Sequence, residues 1–383
     1  MATSFVPRAV FPTQLSLPRS YFLGHHASGL SKMKTMLSHI DLIIECRDYR
    51  VPLTSRNPLF ESSLAGRERV VVYTKRDLGS KDRPKDREAR SSLSSIPFTC
   101  ITPPPLKEPL RTANTRKFIL LISHVFPQRE SIIRAWHAPA ATLFSNHKSK
   151  RDMTSILQLA KEHAQRNASL TGLRILVVGM PNVGKSSMLN ALRATGVHRG
   201  KAAITGAQPG VTRKIASGVK IVDADPVLHQ EAVYLVDTPG VFIPFVPNAE
   251  AMLKLALCGS VKDTIIGPTT LADYLLFHVN KHSPQLYQEY SRATNDIIEL
   301  LEAVCNKTGR LGKGGVPDIE AAALWMIQKW RQGNLGTFIL DDVTPDGLEK
   351  KMNEEVGMSL HQAKKAKKEA QRLRTSLRVA GEA

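Results

Sequence analysis

The run Gly179-Met180-Pro181-Asn182-Val183-Gly184-Lys185-Ser186 has the spacing G-x-x-x-x-G-K-[ST], follows an apolar stretch and opens a helical pattern. Its glycines let backbone N–H groups come close to an anion, and the helix start adds a favourable dipole. The chemistry is phosphate binding. Asn182, Val183, Gly184, Lys185, Ser186 and Ser187 form the cradle. Lys185 reaches the β- and γ-phosphates as the catalytic cation, and the Ser186 hydroxyl ligates Mg²⁺. Asp237-Thr238-Pro239-Gly240 closes a second apolar stretch. Asp237 there holds Mg²⁺ directly or through water, and the Gly240 N–H reaches the γ-phosphate. Between the two lies Gln208-Pro209-Gly210-Val211-Thr212-Arg213. Its Thr212 hydroxyl completes the Mg²⁺ shell and senses the γ-phosphate, as a switch loop does.

A base reader accompanies the phosphate cradle. Thr74-Lys75-Arg76-Asp77 follows the apolar run 70–73. The Asp77 carboxylate can accept from guanine N1–H and the 2-amino group, a pattern adenine does not offer, so the nucleotides expected are GTP and GDP. The Lys75 stem covers the base face. Thr74 replaces the more usual Asn, which changes one hydrogen bond to base or loop. Ser145 and Asn146, in the turn Ser145-Asn146-His147-Lys148, give the second base contact through their backbone. The base motif comes about a hundred residues before the phosphate loop, the reverse of the ordinary GTPase order.

These loops need elements to hold them. Six short runs rich in aliphatic and β-branched residues read as buried strands: 40–45, 70–73, 141–144, 174–178, 218–222 and 232–236. Helical patterns such as 152–166 and 187–193 alternate with them, which argues for an open, mainly parallel α/β sheet with ligands at the carboxyl ends of its strands. Residues 79–139 read as a long connection or insertion, with a possible helix within 116–136 on either side of Pro127. After Gly240 the patterns 249–257, 273–277, 295–305 and 319–330 mark a second, mostly helical domain. The division expected is 1–20 as a targeting segment, 21–246 as the nucleotide domain, 247–345 as the helical domain and 346–383 as a basic tail.

The chain of 383 residues has a formal charge of +19, more than a nucleotide needs, which points to a polyanionic partner or to a solvated basic surface. Its four cysteines stand far apart with no C-x-x-C pair, so neither a zinc site nor a disulfide framework is expected. Residues 1–20 include Arg8 and Arg19 and lack acidic residues, the composition of a mitochondrial transit segment, although three prolines weaken the amphipathic helix. No apolar run reaches the roughly 18 residues of a spanning helix, which leaves peripheral attachment to the inner membrane open.

Taken together, the order of motifs resembles that of circularly permuted GTPases of the YlqF/RbgA type, and within them the mitochondrial ribosome-assembly branch. The likeness is carried by Tyr21-Phe22-Leu23-Gly24-His25, by Asp41 to Leu53 with its Glu45, Arg47, Asp48, Arg50 and Pro52, and by Asn57-Pro58. It extends to 179–190, 209–213, 237–241 and Trp330-Arg331-Gln332-Gly333-Asn334-Leu335-Gly336. Tyr21, Leu23 and Tyr49 depart from the pattern. The resemblance implies a circularly permuted Ras-like P-loop sheet with helices on both faces and a smaller helical domain. It also implies a GTPase that binds the mitochondrial large ribosomal subunit or its precursor and ribosomal RNA, in the matrix, with no DNA partner. Val241 stands where many GTPases orient water, so hydrolysis alone should be slow. His25 is then either the residue that orients water or a structural histidine. Asn182 either coordinates K⁺ or stabilises its loop. The basic tail 364–378 contacts RNA or is a solvated helix. A nucleolar or cytosolic ribosome GTPase, or a non-catalytic RNA scaffold that holds GTP, would use the same motifs.

Overall fold

The computed structural model of the chain describes residues 5–12, 37–58, 61, 64, 66–79, 128–166, 172–203, 218–225, 227, 231–237 and 246–356. All six expected strands form: β1 (Leu42–Asp48), β2 (Arg69–Thr74), β3 (Thr142–Phe144), β4 (Leu173–Gly179), β5 (Val219–Val222) and β6 (Val233–Asp237). They build one sheet in the order β3-β2-β1-β4-β6-β5. Every pairing is parallel except β5 with β6. The carboxyl ends of β1, β2, β3, β4 and β6 therefore share one edge.

β1 runs three residues beyond its expected end at Glu45. Beyond that end Arg47 and Asp48 are 1% and 0% exposed although both are charged. Each is paired inside the fold, which is what a buried charge requires. Arg47 Nε donates to Glu45 Oε1 at 2.7 Å and its Nη2 to Glu61 Oε1 at 2.5 Å. Arg69 Nη1 donates to the other Glu45 oxygen at 3.0 Å.

Helices cover both faces of the sheet. α1 (Gln128–His137) sets Ile133 against Val71, Tyr73 and Phe144. On the opposite face α2 (Lys150–Arg166) and α3 (Lys185–Gly196) bury Ile156, Leu157, Leu189 and Leu192 with Ile44, Val72, Ile175 and Val177. Each such side chain, fully buried, contributes about 1.5–3 kcal/mol. Of the long 79–139 connection only the start and the end, including α1, lie among the described residues.

Beyond residue 246 the chain is helical: α4 (Ala249–Leu257), α5 (Pro268–His282), α6 (Ile297–Thr308), α7 (Ile319–Arg331) and α8 (Gly347–Val356). Asn248, Asp296 and Asp318 cap α4, α6 and α7 with side-chain oxygens, and Pro268 opens α5. α5 extends well past its five-residue signal because Leu271, Tyr274, Leu275 and Val279 are all buried along it. α8 stands where the sequence suggested only tail. The stretch before it returns to the sheet: Asp341 accepts from the Leu53 and Thr54 amides and the Thr54 hydroxyl at 2.9, 2.8 and 2.6 Å.

Residues 5–12, inside the expected targeting segment, pack on α5. Arg8 Nη2 meets Asp273 Oδ1 at 2.5 Å, and Phe11, 8% exposed, lies edge-on to Tyr274 at 5.1 Å between centroids. Composition alone gives no sign of that contact. Among the described residues, no helix is long and apolar enough to cross a membrane.

Candidate nucleotide-binding site

The phosphate loop leaves β4 at Gly179, whose φ of 144° and close approach to β1 both require glycine: an added Cβ would lie 2.3 Å from the Cys46 carbonyl oxygen. The loop passes through Asn182 at φ 57° and ends at Gly184, which opens α3 with no side-chain cap. A helix that begins in this way presents its first N–H groups to an anion. Lys185 is 6% exposed and donates to the Gly179 and Met180 carbonyls at 2.9 and 2.8 Å, so its ammonium lies over its own loop. Ser186 and Ser187 stand half-buried in the first turn.

The base motif leaves β2 on the same edge. The Thr74 hydroxyl contacts two carbonyl oxygens, that of Arg47 at 3.1 Å and that of Val183 in the phosphate loop. The threonine found in place of asparagine thus joins the base loop to the phosphate loop. Lys75 adopts φ 55° and its Nζ meets Asp48 Oδ2 at 3.0 Å. Burial alone would raise the Asp48 pKa, but Arg50 and Lys75 hold the carboxyl well below the usual carboxylate range. Burial also lowers the Lys75 pKa from its ordinary value. Asp77 is exposed one short turn later, its carboxylate open to a ligand from solvent.

The next loop joins them. The Ser145 amide donates to Tyr73 O at 2.7 Å and the Arg76 amide to Ser145 O at 3.1 Å, which registers the two base loops. The Asn146 amide donates to Asp152 Oδ2 at 2.8 Å, and Asn146 Oδ1 accepts from the Lys148 amide at 2.9 Å. Thr74, Lys75, Ser145, His147, Gly184, Ser187 and Met188 line one cleft of about 60 Å³. His147 and Met188 were not singled out from sequence. Burial holds the His147 imidazole below its ordinary pKa, against the pull of Asp77.

β6 ends at Asp237, in register with Val177 two residues before the phosphate loop. That backbone placement brings Asp237 and Ser186, at the head of α3, to the same edge of the sheet. A carboxylate and a hydroxyl are the donor types that would hold Mg²⁺. His25, Thr212, Gly240 and Val241 lie outside the described residues.

A contact with the helical region completes the site. Asn182 Nδ2 donates to the Gly259 carbonyl, just past α4, at 2.8 Å. Arg50 grips Asp48 through Nε at 3.0 Å and Nη2 at 2.8 Å, reaches Cys258 O at 3.3 Å, and lies over the Trp330 ring at 4.7 Å.

A phosphate loop at the centre of a mainly parallel sheet, with the base-motif strand ahead of it in the chain, defines a circularly permuted P-loop GTPase. Residues 174–308 match the family model described as 50S ribosome-binding GTPase. The chain is 32% identical to Mitochondrial GTPase 1 of Schizosaccharomyces pombe over 348 residues, 90% of this chain and 95% of that one. It is 33% identical to Mitochondrial ribosome-associated GTPase 1 of Mus musculus over 88% of this chain and 95% of the relative. GNP-bound YlqF from T. maritima is a solved structure similar to it, at 18% identity and a TM-score of 0.47 over 83% of this chain and 98% of that one. The chain belongs to the mitochondrial GTPase 1 family: it binds guanine nucleotide and hydrolyses GTP.

Proposed function

We propose that this GTPase acts in mitochondria as a switch in the assembly of the large ribosomal subunit, binding the subunit or its precursor through ribosomal RNA and so supporting mitochondrial translation. The observation that carries the reading is the near full-length match to relatives named as mitochondrial and ribosome-associated, on a chain whose charge is +19. A basic surface suits a phosphate-rich partner, and binding led by phosphate contacts weakens steeply with salt. In the bound state Asp77 reads guanine, while the Ser145–Asn146 turn, its two amides held by Tyr73 O and Asp152 Oδ2, shapes the base loop instead of donating to the base as expected from sequence. Lys185 neutralises the phosphates, and Ser186, Thr212 and Asp237 hold Mg²⁺. Gly240 contacts the γ-phosphate, so that GTP orders Thr212 and the loop after Asp237.

That loop leads directly into the helical region, which we take as a domain over 247–345. With Val241 beside the γ-phosphate, turnover is slow until the ribosome brings His25 against the attacking water. Multiple-turnover phosphate release from full-length protein tests the enzymatic half of this reading. Addition of mitochondrial large subunits should raise the rate by an order of magnitude or more, with the gain lost in Lys185→Ala. A rate indifferent to the subunits would remove the ribosome from the cycle.

A further inference from the structure

The geometry points to Arg331 as a positioning residue for the phosphate loop, acting from α7 through the end of α4. Carbonyls in the last turn of a helix have no partner within it. At the end of α4 four consecutive carbonyls, 256 to 259, are met by side chains from three distant parts of the chain. Arg331 Nη2 donates to Ala256 O at 2.7 Å and Nε to Leu257 O at 3.0 Å. Arg50 takes Cys258 O, and Asn182 takes Gly259 O. Asp263 fixes the Arg331 fork with contacts of 3.1 and 2.6 Å. The guanidinium lies so close to the turn that a Cβ on Gly259 would sit 3.4 Å from its Cζ and 3.6 Å from Asn182 Nδ2, at a φ of 79° that a side chain rarely adopts.

The chain of cause is short. The backbone closes the exit of α4, with the Ser260 amide on Leu255 O and the Gly259 amide on Ala256 O, both at 2.9 Å, and Arg331 braces that turn. The braced turn sets the direction of the Gly259 carbonyl, and that carbonyl holds Asn182 in its left-handed conformation. Asn182 stands between Met180 and Gly184, in the part of the loop that curves round the phosphates. A shift of α7 is thereby a shift of the phosphate loop, by a path separate from the covalent connection after β6. A planar fork is needed to reach two carbonyls and a carboxylate together, so lysine cannot stand in.

The inference rests on residues 179–186 being the phosphate loop, and the test separates the two claims. GTP titrations of phosphate release, with GTP itself as the probe, would give kcat and KM for the full-length wild type, Asn182→Ala, Arg331→Ala, Arg331→Lys and the Asn182→Ala/Arg331→Ala double variant. Urea midpoints would be taken in parallel. Each single variant should lose roughly tenfold in kcat/KM, Arg331→Lys should not rescue, and the double should lose no more than the worse single. Losses that multiply, or a folded Arg331→Ala with wild-type constants, would overturn the assignment. If Arg331→Ala does not fold, Asp263→Asn loosens the same fork and should show the same non-additivity with Asn182→Ala. GTP binding retained in Lys185→Ala would instead overturn the phosphate-loop assignment itself.

Discussion

The hydroxyl of Thr74 lies against the carbonyl oxygen of Val183, so the first residue of the base motif is bonded to the phosphate loop although 109 positions separate them. In an α/β sheet two loops from the same edge are neighbours whatever their order in the chain, and here one side chain joins them. Thr74→Val keeps the shape and removes the donor, leaving a buried carbonyl unpaired at a cost of about 1–3 kcal/mol. GTP and GDP affinity should fall together by about tenfold or more, since the loop serves both. Equilibrium titration with each nucleotide checks this, and a loss confined to one of them would contradict it.

Asp77→Asn tests base reading separately. An amide cannot accept from both N1–H and the 2-amino group, so GTP affinity should drop by several orders of magnitude. Xanthosine triphosphate, which carries a carbonyl at the 2-position, should bind the variant better than GTP does. Competition binding with the two nucleotides measures the reversal.

Asp48 bears on both stability and the site. It holds Lys75 at 3.0 Å and Arg50 at 2.8 Å, and it is 0% exposed. Asp48→Asn leaves the buried Arg50 guanidinium without its counter-charge, a change that costs about 3–5 kcal/mol. Urea denaturation should show a loss of that order, and GTP affinity should fall as Lys75 loses its tether. Hydrophobic replacement of one partner alone should be no better.

Acid should lower the stability of the protein over two overlapping pH windows. Burial, then the guanidinium groups of Arg47, Arg69 and Arg56, pushes the His137 imidazole down to about 2, where its Nε2 pairs with the Tyr73 hydroxyl at 2.8 Å. The unfolded imidazole titrates at about 6.5, above the folded value, so this stabilisation is complete above that pH and is lost progressively as pH falls from there towards the folded value. Asp48 has the same sign in a lower window: its folded carboxyl titrates below the ordinary carboxylate value of about 3.9, so its contribution goes only below about pH 4. Urea midpoints measured across pH should begin to fall below about 6.5, and His137→Gln should flatten the decline between about pH 6.5 and 4.

Much of this was legible in the sequence, and what was not has physical reasons. The strands and motif loops could be read because aliphatic runs bounded by glycine and charge have few other uses. β1 could not be followed past Glu45, because Arg47 and Asp48 look like surface residues until the fold closes over them and pairs them with Glu45 and Arg50, two positions away, and with Glu61 and Lys75. Tyr49 read as a departure from the family pattern. In the fold its ring packs edge-on to Phe144 at 5.6 Å and covers Gly79, where an added Cβ would meet it at 2.5 Å, so the two positions are sized to each other. Asn182 could be read as a loop residue or an ion ligand. Its bond to Gly259 links positions 77 apart, and sequence spacing carries no trace of that. The aromatic seat of Phe11 on α5 was hidden in the same way.

The central claim is that GTP controls the grip of this protein on the mitochondrial large subunit. Co-sedimentation of full-length protein with mitochondrial large subunits, loaded with a non-hydrolysable GTP analogue or with GDP at constant salt, tests it most directly. The account predicts at least about tenfold tighter association in the GTP state, the size of an ordinary allosteric coupling. Equal pelleting with the two nucleotides would contradict it.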